Sequence, residues 1–97
     1  MFVSQLPRTL GNIEDGRQVI RSSGSVGANY REANEAISKK DFLLRIRICR
    51  KEAKESQYWL RLLNEHTSLI LKSVGIELAQ EAIELMMIFG AILRKAK

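Results

Sequence analysis

SKKDFLLRIRICRKEAKESQYWLRLLNEH, from Ser38 to His66, is the clearest helical pattern in the chain. Ser38-Lys39-Lys40-Asp41 resembles a capping box, with an acidic residue at the third helical position. From there Phe42, Ile46, Cys49, Ala53, Ser56, Leu60 and Leu63 alternate spacings of four and three without a fault. That is a heptad seam, and it predicts side-by-side helix packing. A helix running to about His66 would be a rod of about 42 Å at 1.5 Å per residue, so the domain should be elongated. Ile48, Trp59 and Leu62 lie off the seam to one side. So wide an apolar arc touches more than one neighbour, which makes this the central helix of a bundle.

On either side of it the chain also reads as helix. Pro7 is the single proline, so only glycine interrupts the ninety residues that follow. The last segment, about Ile76 to Ala96, begins amphipathic and then loses its polar side. Leu85-Met86-Met87-Ile88-Phe89 takes five apolar residues round the helix at about 100° per step. Such a helix is either deeply buried or a subunit contact. The second reading is favoured, with Met86, Met87 and Phe89 as the contact, because a small domain has few elements to cover every side. Residues 67 to 75 read as the connector. The first segment, about Asn12 to Ala36, carries Gly16, Gly24 and Gly27 among Ser22, Ser23, Ser25 and Ala28. Each glycine costs about 1 kcal/mol against alanine, so propensity makes Ser22 to Gly27 a loop. The alternative is a small-residue face on a continuous helix that lets a neighbour come close. The spacing of Arg21, Ser25, Asn29 and Glu32 supports it.

Ninety-seven residues make one domain, residues 1–97, with no room for a second core. A chain of this size buries about 60–65% of its unfolded surface, so contacts with a partner would add much to its stability. One cysteine excludes an internal disulfide framework and a cysteine-based zinc site. No targeting segment is evident, and the longest apolar run, Leu85 to Leu93, falls far short of the roughly 20 residues that span a bilayer. A soluble, cytoplasmic protein with no membrane partner is expected.

Residues that could carry chemistry do not assemble into a catalytic pattern. Cys49 and His66 are separated by about 25 Å along one helix, so they form no dyad. Cys49 falls on the apolar seam and reads as a core thiol, and His66 as a helix-terminal cap. Glu-x-x-Glu occurs at Glu32 and Glu35, Glu52 and Glu55, and Glu81 and Glu84. Residues three apart share a helix face and can ligate a metal ion. The Glu-x-x-His pairs of di-iron bundles and the denser acidic set of all-α nucleotide pyrophosphohydrolases are both missing. Glu52 and Glu55 read better as countercharges, and no metal or cofactor is expected. Gly24-Ser25-Val26-Gly27 lacks the Gly-Lys-Ser/Thr of a Walker motif and the strands of a nucleic-acid GxxG fold.

The basic residues say most about a partner. Sixteen Lys and Arg against eleven Asp and Glu leave +5. Lys40, Arg47, Lys54 and Arg61 recur every seven residues, about 10.5 Å apart along one flank of the central helix, and Arg50 and Lys51 thicken the stripe. From Lys39 to Arg61 eight basic residues face Asp41, Glu52 and Glu55, so the whole excess resides there. Such a stripe can follow a phosphate backbone of RNA or DNA, or it can be an ordinary solvated flank. Tyr58 alone lies outward enough to stack on a base, which argues against sequence-specific single-strand readout.

Arg21-Ser-Ser-Gly-Ser-Val-Gly-Ala-Asn29-Tyr-Arg-Glu32-Ala, then Ser38-Lys-Lys-Asp-Phe42, then Lys51-Glu52-Ala-Lys-Glu55-Ser-Gln-Tyr58-Trp59-Leu60 resembles the four-helix-bundle family of 23S rRNA intervening-sequence proteins. Members are encoded in inserts of bacterial rRNA genes and as free-standing genes, and the likeness covers roughly residues 7 to 95. The resemblance implies an all-α up-and-down four-helix bundle in which Ser22 to Gly27 is helical. It implies homopentameric rings, and relatives that accompany retroelement reverse transcriptases bind nucleic acid. It carries no enzymatic activity, and many members have no assigned role. Arg21, Ser25, Asn29, Glu32, Glu52 and Glu55 would be the shared polar residues of two facing helices, with Arg21 meeting Glu52 or Glu55. One departure stands out: members carry a full helix before the segment matching Leu6-Pro7, where only Met1 to Leu6 stand here. Either the start codon is placed late, or the chain lacks most of its first helix; in the second case three long helices and a stub would leave an apolar groove uncovered and put the five-fold stoichiometry in question.

The expectation is a self-associating, non-enzymatic helical bundle that binds RNA or DNA weakly and without sequence preference through Lys40, Arg47, Arg50, Lys51, Lys54 and Arg61. The alternative is a homo-oligomeric scaffold with no nucleic-acid role.

Overall fold

A computed structural model of the chain describes residues 2–3, 10–63 and 69–96. Among these there are three helices and no strand: α1 (Leu10–Asn34), α2 (Lys39–Leu63) and α3 (Leu69–Lys95). They run up, down and up. α2 packs along both of its neighbours, while direct contact between α1 and α3 is sparse. The molecule is a rod of 45 × 19 × 17 Å, as the length of α2 requires.

The start of α2 is fixed by its cap. Ser38 Oγ accepts a hydrogen bond from the Asp41 amide at 3.0 Å, satisfying one of the orphan donors of the first turn. The seam follows as the spacing predicts. Ile46, Cys49, Ala53, Ser56, Leu60 and Leu63 are buried and Phe42 half-buried, with Ile48, Trp59 and Leu62 half-buried beside them. The expected extension of α2 to His66 lies outside the described residues.

Two boundaries differ from expectation. α3 begins at Leu69, so residues 69 to 75 are not connector. Gly75, which looks like a breaker, is buried within the helix, and the apolar run before it has nothing else to stop it. α1 runs without a break through Ser22 to Gly27, so propensity loses to packing there. The close approach is made by Ser22, which is fully buried. Gly24 and Gly27 do not take part: both are exposed, and a Cβ on either would meet nothing within 4 Å. Close contact at a glycine occurs instead at Gly16, where a Cβ would stand 2.6 Å from Val3 Cγ1.

The core has two apolar clusters. Phe2, Val19, Leu60, Leu63 and Ala79 form one, and Ala33, Ile46, Cys49 and Phe89 the other. Buried Ser22, Glu52 and Ser56 separate them at the α1–α2 interface. Between α1 and α3, with α2 as its floor, runs an apolar groove of about 330 Å³ lined by Val19, Val26, Leu60, Leu78, Ala82 and Leu85, among others, with Phe2 and Val3 among its lining residues.

Candidate nucleic-acid interface

α2 sorts its charges by direction. The carboxylates face α1. Arg21 Nη1 donates to Glu52 Oε2 at 3.1 Å, and Nη2 donates to Glu55 Oε2 at 2.6 Å. Arg21 Nε donates to Gln18 Oε1 at 3.0 Å within α1. The Glu55 hydrogen bond and the two carboxylate charges hold the Arg21 guanidinium above its already high ordinary value, so it is charged at any working pH. Both expected partners of Arg21 are therefore used at once.

Next to this fork, Ser22 Oγ and Ser56 Oγ are 2.8 Å apart across the buried interface. Each hydroxyl also has a carbonyl acceptor one turn back in its own helix, Glu52 O at 3.0 Å for Ser56 and Val19 O at 3.4 Å for Ser22, so either can donate to the other. Further along, Asn29 Nδ2 donates to Ser25 O and Oγ within α1, and Arg45 Nη1 of α2 donates to Asn29 Oδ1 at 3.2 Å. Sequence reasoning missed Ser22, Ser56 and Arg45. Ser56 on the apolar seam was the available signal, since a buried hydroxyl needs a partner across the interface. Glu32 is a correction: it is exposed, and among the described residues its side chain joins no hydrogen bond or ion pair. The α2 cation near that end, Arg45, is turned to Asn29 and lies 3.8 Å from Asp41.

Arg45 apart, the cations in the middle of α2 lie on its other side. Arg47, Arg50, Lys51 and Lys54 line one hollow with Met86 and Leu93 of α3. Lys40 and Arg61 are exposed but stand outside it, toward the two ends of the helix. Among the described residues none of these six cations has a carboxylate within salt-bridge distance. Tyr58 is exposed, with its ring edge-on to Trp59 at 4.9 Å between centroids.

On α3, Met87 is 66% exposed and Ile88 55% exposed, and Met86 is half-buried in the basic hollow. Phe89 is a second correction. It is 3% exposed, packs with Ala33, Ile46 and Cys49, and stacks obliquely on Tyr30 at 6.2 Å. Its side chain is spent inside the chain and cannot form an outward contact. Cys49 is fully buried, its thiol donates to the Val26 carbonyl at 3.5 Å, and burial pushes its pKa up. Among the described residues no group of three His, Cys, Asp or Glu side chains could hold a metal ion. No described helix is long and apolar enough to cross a membrane.

Comparison with known proteins follows the same lines. The family model for the 23S rRNA-intervening sequence protein matches residues 3–91. A solved structure of a protein with unknown function, from the S23 ribosomal protein family of Bacteroides thetaiotaomicron VPI-5482, is similar over 89% of this chain and 75% of its own. The two share 31% sequence identity and superpose with a TM-score of 0.71. Among curated proteins nothing matches.

Proposed function

This chain belongs to the 23S rRNA-intervening sequence protein family, and we propose that it is a non-enzymatic, cytoplasmic, homo-oligomeric protein that binds RNA or DNA through the basic side of α2. The observation that carries this reading is the segregation of charge across that helix. Glu52 and Glu55 are consumed by Arg21 on α1, which leaves Arg47, Arg50, Lys51 and Lys54 together without a carboxylate near them among the described residues. A linear row of uncompensated cations suits a linear polyanion, and such binding is salt-sensitive and largely indifferent to sequence. The exposed apolar side chains Met87 and Ile88 support self-association through the outer face of α3. A ring, five-fold as the family resemblance implies, would multiply the row.

Fluorescence anisotropy with a mixed-sequence single-stranded RNA tests this directly. Binding at 50 mM salt should weaken steeply by 200 mM, with a log–log slope of about −0.7 per phosphate contacted. A protein that elutes as an oligomer but leaves the RNA free at 50 mM would instead be a scaffold.

A further inference from the structure

The row on α2 has a counterpart on α3. Arg94 stands one turn beyond Gly90, and its guanidinium folds back over that glycine. A Cβ at Gly90 would lie 3.4 Å from Arg94 Nη1, 3.8 Å from Arg50 Nε and 3.9 Å from Arg50 Cζ. Two guanidiniums from different helices thus converge on one point, above the spot where the packed surface of α3 has no side chain. Both line a hollow with Met86, Met87 and Ala91, and Arg50 also lines the adjoining hollow with Arg47, Lys51 and Lys54. Among the described residues neither arginine meets a carboxylate. A cation near the end of α3 is favoured by the helix dipole, but that accounts for the charge of Arg94 and not for its turning toward Arg50.

We propose that Arg50 and Arg94 form a clamp for one backbone phosphate of a nucleic acid, with the bare Gly90 letting both guanidiniums close in over α3. This deepens the proposed function and rests on it. Like charges brought together repel, and an anion between them removes that repulsion. Guanidinium forks suit a phosphate because each can donate two parallel hydrogen bonds to its oxygens. From the clamp, Arg47, Lys51 and Lys54 continue along α2, so the chain of phosphates leaves the clamp parallel to the long axis of the molecule. That linear continuation favours a nucleic-acid strand over a single phosphorylated headgroup.

Anisotropy with the same mixed-sequence RNA, on the full chain, compares R50Q, R94Q, R94K and K95Q, each checked by circular dichroism. K95Q removes one charge from the residue next to Arg94. R50Q and R94Q should each lower affinity about tenfold and reduce the salt slope by about 0.7, and K95Q should do much less. R94K keeps the charge but loses the fork, and should stay close to R94Q. If R94K restores the parent affinity, or R94Q behaves like K95Q while the parent binds RNA, the clamp is overturned and the proposed function stands. A parent that does not bind RNA at 50 mM salt overturns the proposed function and the nucleic-acid clamp with it. Inorganic phosphate followed by the Gly90 amide resonance separates these cases. A shift lost in R94Q supports the clamp where the parent binds RNA. Where it does not, the same shift reassigns the site to a small phosphate and overturns the nucleic-acid assignment. Anionic vesicles bound more tightly than RNA in an Arg94-dependent way would overturn it as well.

Discussion

Glu52 illustrates how one side chain can be placed by geometry while its neighbour three residues on is merely useful. Its carboxylate is 7% exposed and Glu55's 37%, yet both reach the same guanidinium. Water can replace Arg21 at Glu55 but barely at Glu52, so the two are not equivalent despite the shorter hydrogen bond at Glu55. Glu52→Gln should lower the melting temperature by roughly 4–8 °C, and Glu55→Gln by less. No change in either would show that the fork contributes nothing to stability, and equal losses would show that burial does not set Glu52 apart from Glu55. The Arg21 contacts were legible through the family resemblance, which makes Arg21, Glu52 and Glu55 shared polar residues of two facing helices. Ser22–Ser56 and Asn29–Arg45 were not, since a serine or an asparagine acquires its role only from whatever the other helix places opposite it.

The elements were legible to the extent that periodicity spoke for them. α2 carries a faultless seam and a cap, and both appear in the structure. α1 has no such seam. Its glycines speak against a helix, and it forms because Val19, Ser22 and Ala33 bury against α2, a tertiary gain that no local scale contains. The start of α3 was missed as well, since residues 69 to 75, read as connector, are helical. If Gly24 and Gly27 face open space, as they do in the single chain, then G24A and G27A should each stabilise the protein by about 1 kcal/mol. Loss of stability in either variant would mean that these glycines meet a second copy. Gly16 should behave oppositely, because an alanine there displaces Val3 from its seat.

At the scale of the whole molecule, the elongation was foreseeable from the length of one helix, and the direction of the charges was not. Periodicity places Arg47, Arg50 and Lys54 on one flank, but only packing decides that α3 lies beside that flank and α1 beside the acids. The same packing order has a kinetic side. α2 is held along its length on two sides, whereas the backbones of α1 and α3 stay apart and these helices meet through a few side chains such as Phe89 against Ala33 and Tyr30. Either outer helix can therefore lift away while the remaining pair stays docked, so the molecule should open in parts before it unfolds as a whole. Native-state hydrogen exchange should find the slowest amides in the middle of α2, between Ile46 and Leu60, with α1 and α3 exchanging sooner and independently. One common rate for all three helices would mean that something not in the single chain, such as a neighbouring subunit, ties the outer two together.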